Sequence, residues 1–162
     1  MEPVRYVDRL NARYRAQGFP PYRWTVNDDA PLTRPTIPLA HSTVTLLTSG
    51  GVSRSCDLSW DPDARNDFRL DEIPPTTSSD AFQVHDSYYE TDAARRDINT
   101  VFPIDRLGEA AADGTIGAVA PRLWSGFMGR IYRRTQLTDD VAPAWAEELR
   151  DDEVDLALLV PA

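Results

Sequence analysis

The sequence contains no lysine: all 17 basic residues are arginine. This excludes a Schiff-base lysine for pyridoxal phosphate and the lysine of a P-loop. An all-arginine basic set also fits GC-rich coding. A single cysteine, Cys56, excludes an internal disulfide or a dithiol pair within these residues. With only His41 and His85 beside it, a structural zinc site lacks its usual ligands, and no metal is expected. No apolar run approaches the roughly 20 residues that span a bilayer. The opening stretch MEPVRYVDRL is charged and has no apolar signal-peptide core, so a cytoplasmic protein is expected. The net charge of −9 argues against a nucleic-acid partner and against an anionic membrane surface.

What is present reads as one globular domain over 1–162. An apolar fraction of 41% and a charged fraction of 27% suit a soluble core-forming chain. Val4, Val7, Leu10 and Tyr14 fall at helical spacing over 3–17, with Pro3 at the start and Gly18 at the stop. GFPPYRW then makes a packed, rigid aromatic arm, and 27–38 is a Pro- and Asp-rich connection. The run 43–48 is apolar enough for a strand buried on both faces. A polar loop is expected over 53–67, strands over 68–74 and 81–86, and no regular element over 87–102. Pro103 opens a helix with Ile104, Leu107 and Ala111 on one face, and Gly114 closes it. The glycine- and proline-punctuated 114–132 reads as loop. A last helix over about 139–150 buries Val141, Trp145 and Leu149, and a buried apolar strand follows at 154–160. Trp24, Trp60, Trp124 and Trp145 are expected in the core, and His41 as structural. The order points to an α/β fold: a layered, Rossmann-like sandwich around a mostly parallel sheet, with an N-terminal helix.

Three stretches could carry chemistry. The first strand runs into Thr48-Ser49-Gly50-Gly51. Ligands of open α/β sheets bind beyond the carboxyl ends of strands, and glycines with hydroxyl neighbours can cradle a carboxylate or phosphate. On spacing alone a plain tight turn fits equally well. The stretch VHDSYYETDAARRDIN, 84–99, gathers His85, Asp86, Glu90, Asp92, Asp97 and Asn99 beside Tyr88 and Tyr89. A histidine among carboxylates can serve as a base or a ligand, but such a loop more often bonds to itself. Cys56 lies just past the glycine-rich turn, where Arg54 could activate a thiol, although a lone loop cysteine is usually incidental.

Taken together, RYVDRLNARYRAQGFPPYRW, VTLLTSGGV, the long block from Val84 to Gly129, and VDLALLVP resemble the selenoprotein B family. That family includes the component B subunit of glycine, sarcosine and betaine reductases and the related D-proline reductase subunit. The block 84–129 is the most specific part. The resemblance implies an oxidoreductase that cleaves a C–N bond next to a carboxylate. It implies no bound cofactor, and a thiol or selenoprotein as redox partner that leaves as a disulfide. In the family the nucleophile is a selenocysteine or cysteine in a loop directly after a strand equivalent to 154–160. This sequence stops at LLVPA, where that loop begins, and Cys56 does not match its position. A lost nucleophile, a shortened sequence and a stop codon read as selenocysteine are three alternatives.

If strands 43–48 and 154–160 are parallel neighbours, both end at one sheet edge. The turn Thr48–Gly51, with Tyr89 and Asn99, would then hold a small amino-acid or betaine-like substrate. His85 and Asp86 would supply a proton to the leaving amine, and Cys56 stands as a candidate thiol. A second expectation is a non-catalytic binding or assembly subunit that takes a protein partner or forms a homo-oligomer. The weakest is a metal-dependent hydrolase or lyase built on His85, Asp86, Asp92 and Asp97.

Overall fold

The computed structural model describes residues 5–22, 28–29 and 33–162. The chain divides into two compact units, 1–34 and 35–162. In the first, the helical spacing produces α1, Tyr6–Ala16, and Gly18 stops it with φ at +78°. Past that stop the chain doubles back. The rings of Phe19 and Tyr22 sit 6.1 and 5.8 Å from that of Tyr14, and the Tyr22 amide donates to Asn11 Oδ1. The aromatic arm therefore exists as far as Tyr22; Pro3, Val4 and Trp24 lie outside the described residues.

The second unit is the α/β fold. Its strands are β1 (Thr43–Thr48), β2 (Val52–Arg54), β3 (Leu70–Ile73), β4 (Phe82–Val84), β5 (Ala118–Val119), β6 (Leu123–Gly126) and β7 (Leu156–Val160). β1 is the hub. It pairs in parallel with β5 at its start, with β6 at its end, and with β7 along its length. β3 closes antiparallel on β6, and β2 with β4 forms a separate antiparallel pair. The sheet is therefore mostly parallel, as its apolar strands anticipate.

Helices cover β1 from both sides. Val44 and Leu46 face a core shared with Val84, Phe102, Ile104 and Leu107, drawn from β4, the turn after α2 (Asp92–Arg96) and helix α3 (Ile104–Ala112). Leu47 and its register partner Trp124 point the other way. There Trp124 meets Trp145 edge to face, with centroids 6.3 Å apart. Trp145 belongs to α5, Ala142–Asp151, which continues α4 (Arg134–Gln136) through a π turn at Leu137–Val141. Arg122 ties this helix down, with Nε and Nη2 on the Asp152 carboxylate at 2.7 and 3.0 Å and Nη1 on Glu148 at 2.7 Å. Among the described residues no helix is long and apolar enough to cross a membrane.

Five sequence expectations change. The stretch 114–132 holds β5 and β6, two strands of the central sheet. Pro121 separates them and no alternation marks them, because β6 is buried on both faces. The region 53–67 begins inside β2, and α2 forms within 87–102. Val141, Trp145 and Leu149 are half-buried rather than core. β7 is exposed at Ala157, Leu158 and Leu159, because it pairs only with β1. Trp60 and Trp124 are core residues as expected.

Candidate functional site

The parallel strands end level with one another. Thr48 is in register with Ser125 of β6 and with Val160 of β7. Thr48-Ser49-Gly50-Gly51 therefore lies where an open α/β sheet presents its ligand edge. The turn is built by its own side chains. The buried Thr48 hydroxyl accepts from the Gly50 amide at 3.1 Å and donates to the Val160 carbonyl at 3.3 Å. The Ser49 amide donates to that same carbonyl, and Ser49 Oγ accepts from the Ala162 amide at 3.2 Å. Ser49 is half-buried, and its hydroxyl accepts in this bond rather than donating.

Gly51 is required by sterics. Its φ is +64°, and a Cβ there would lie 2.1 Å from the His85 carbonyl oxygen. That close approach lets the His85 amide donate to the Gly51 carbonyl at 2.9 Å, extending the β2–β4 pairing into the turn. Tyr89 clamps the neighbouring residue, its hydroxyl donating to the Gly50 carbonyl at 2.9 Å. Burial, followed by the Asp86 charge, raises the Tyr89 pKa, so the phenol stays a donor.

The structure thus gathers Thr48, Ser49, Gly50, Gly51, His85 and Tyr89. His85 Nδ1 is buried with no protein partner. Such an orphan is uncommon in a folded protein, and it leaves the imidazole a free nitrogen beside the turn. Asp86 does not pair with the imidazole; its Oδ1 accepts from the Tyr88 amide at 2.6 Å.

Asn99 is engaged elsewhere. Its Nδ2 donates to Asp97 and Asp105, and its Oδ1 accepts from the Asp105 amide, so it caps the start of α3. These bonds also hold the Asp97 carboxyl below its usual range. Asn99 lines a groove of about 510 Å³ with Phe82, Arg95, Arg96 and Arg106. The Thr48–Gly51 turn does not line that groove, and the groove's cations stand among Asp80, Asp97 and Asp105. Cys56 is exposed, its thiol 3.7 Å from Asp57 Oδ1. Arg54 is committed to that same carboxylate at 2.6 and 3.1 Å, so the cation beside the cysteine is already paired. His85, Asp86, Asp92 and Asp97 do not converge: no group of three or more metal-type ligands forms among the described residues.

One wall of this edge escaped the sequence reading. The segment after β6, Phe127–Arg130, carries two non-glycine residues in left-handed backbone, Phe127 at φ +54° and Arg130 at φ +62°. Met128 reaches the turn, its sulfur 3.1 Å from where a Gly51 Cβ would lie. Ser53, Ser125 and Arg130 add further buried, unpartnered polar atoms. The signal available was the position of FMGR directly after a strand, hidden once 114–132 is read as loop.

A profile of the glycine/sarcosine/betaine reductase selenoprotein B family matches residues 4–162. The D-proline reductase subunit gamma of Acetoanaerobium sticklandii is 32% identical over 159 residues, 98% of this chain and 61% of that protein. The chain thus spans about three fifths of the length of the curated relative it matches. No solved structure matches it.

Proposed function

The chain belongs to the glycine/sarcosine/betaine reductase selenoprotein B family, and from that premise we propose that it forms the substrate-holding part of a reductase cleaving a C–N bond beside a carboxylate. The supporting observation is the junction at the sheet edge. Val160–Ala162 run along Thr48–Gly50, bonded to Thr48 and Ser49, while His85 packs on Gly51 from the other side. A nucleophile carried just after β7, as the family pattern has it, would begin its loop beside this turn.

The proposed reaction balances as follows. A selenolate or thiolate forms a bond to the substrate carbon as the C–N bond breaks, and the amine nitrogen takes a proton. A thiol then attacks the selenium or sulfur of the adduct, the carbon leaves with a proton, and a second thiol closes a disulfide and restores the nucleophile. Two thiols thus provide two electrons and two protons. Within this chain Ser49 would hold the substrate by its hydroxyl proton. His85 would protonate the leaving nitrogen, a general-acid role of about 10²–10⁴-fold. Tyr89 would keep the turn in shape.

The test is C–N cleavage of glycine, sarcosine, betaine or D-proline with dithiothreitol as reductant. Combined with the subunit that carries the nucleophile, the protein should release cleaved product, and His85→Ala should reduce it at least about 100-fold. No product from any of the four in that combined assay overturns the substrate-holding reading. The exposed Leu158 and Leu159 on β7 favour a second one, a binding or assembly subunit whose β7 edge takes a protein partner. A monomer by light scattering, alone and with its neighbouring subunits, would remove that alternative.

A further inference from the structure

The carboxylate of the proposed substrate needs a cation, and the chain offers none in the Thr48–Gly51 turn. A net charge of −9 makes the surrounding field repel an anion, so the attraction must be local. Most partly buried arginines are already saturated. Arg54, Arg69 and Arg122 each grip one carboxylate through Nε and Nη2, on Asp57, Asp71 and Asp152.

Arg130 differs. Its Nε is buried with no partner. Its one ion pair is a single 3.2 Å contact from Nη2 to Asp63, whose side chain is 79% exposed, the kind of contact that contributes little in water. The residue is nevertheless held firmly. The Asn66 amide donates to the Arg130 carbonyl, and Asn66 Oδ1 accepts from the amides of Tyr132 and Arg133. The guanidinium carbon lies 5.8 Å from the centre of the Tyr88 ring, and that ring packs so closely on Gly129 that a Cβ there would meet it at 2.8 Å. Left-handed backbone at a non-glycine residue is strained and is kept where the surroundings enforce it, often at ligand clamps. The same loop touches the turn through Met128 at Gly51, and Tyr88 adjoins Tyr89, which clamps Gly50.

We infer that Arg130 is the carboxylate anchor of this site, its guanidinium exchanging its contacts with Asp63 and Tyr88 for a two-pronged grip on a small carboxylate ligand through Nε and an Nη. The two-pronged geometry is the one arginine provides and a point-charge ammonium does not. The identity of that carboxylate as the substrate's rests on the reductase reading; the anion site itself does not.

The experiment separates the two. The Arg130 Nε–H resonance is followed in ¹⁵N-labelled protein during titration with acetate, with D-proline and with neutral D-prolinamide. Acetate and D-proline should shift it saturably and D-prolinamide should not. Arg130→Gln should weaken D-proline binding about 10- to 100-fold, Arg130→Lys by less, and Asp63→Asn should tighten it severalfold by removing the competitor. No acetate shift at Arg130 overturns the inference, and this arm needs no variant to fold. Equal D-proline binding by wild type and Arg130→Gln also overturns it while leaving the reductase reading intact. A saturable acetate shift with no binding of glycine, sarcosine, betaine or D-proline sustains the anion site and overturns the reductase reading.

Discussion

β1 and β7 lie side by side in register over five residues, TLL of one against ALL of the other at the centre. Yet Leu46 is fully buried while its partner Leu158 is 43% exposed. Their composition is nearly the same; their neighbours differ. β1 has strands on both edges and helices over both faces, whereas β7 pairs with β1 alone. What joins them is at the carboxyl end, where one hydroxyl, that of Thr48, bonds the turn and the Val160 carbonyl together. Burial of a strand is thus a property of its place in the sheet, and the candidate site lies where the buried strand and the exposed one end level.

The contrast can be broken first at its buried member. Leu46→Ala should destabilise the fold by about 2–5 kcal/mol, read as a fall in the denaturant midpoint. Gly51→Ala follows at about 2–3 kcal/mol, since left-handed backbone disfavours a Cβ and the His85 carbonyl must move. Near-wild-type stability with an unshifted His85 amide resonance would contradict the close approach. Thr48→Val keeps the shape but leaves the Gly50 amide and the Val160 carbonyl without their hydroxyl, for about 1–2 kcal/mol. Hydrogen exchange at Gly50 should rise, and unchanged exchange would show that the hydroxyl does not join the two strand ends.

Tyr89→Phe should cost about 1 kcal/mol by removing the bond to Gly50, and it carries a pH signature. The folded-state pKa of Tyr89 lies above its usual value, so the phenol's contribution is complete below pH ~10 and is lost as pH rises through the raised pKa. The alkaline fall in stability should be smaller in Tyr89→Phe; an identical profile would place the titration elsewhere. The smallest effect belongs to the exposed member. Leu158→Ala should change stability by less than about 1 kcal/mol, and a loss equal to that of Leu46→Ala would erase the distinction between the strands.

Much of this fold is written locally. β1 is legible because six consecutive residues are apolar or β-branched, and α3 because Pro103, the Ile104–Leu107–Ala111 stripe and Gly114 agree. β6 is not, because Leu123-Trp124-Ser125-Gly126 is buried on both faces and carries neither alternation nor length. Missing β6 conceals the loop after it, and with that loop Arg130. In the other direction, sequence proximity groups Asn99 and Cys56 with the site. Asn99's amide is filled by Asp97 and Asp105, and the cation beside Cys56 is filled by Asp57. A hydrogen-bonding group can be counted in a sequence, but whether it is already satisfied depends on partners brought by folding.

By itself the sequence determined the fold class, the family and the glycine-ended strand at the centre of the sheet, because these rest on local hydrophobic runs, backbone-permissive residues and motif order. Only the tertiary structure decided that β7 is an edge, that Thr48 is consumed in holding the turn while His85 keeps an unmatched ring nitrogen, and that Arg130 keeps a buried nitrogen to spare. Those outcomes depend on contacts between residues as much as 113 positions apart, which no local pattern encodes.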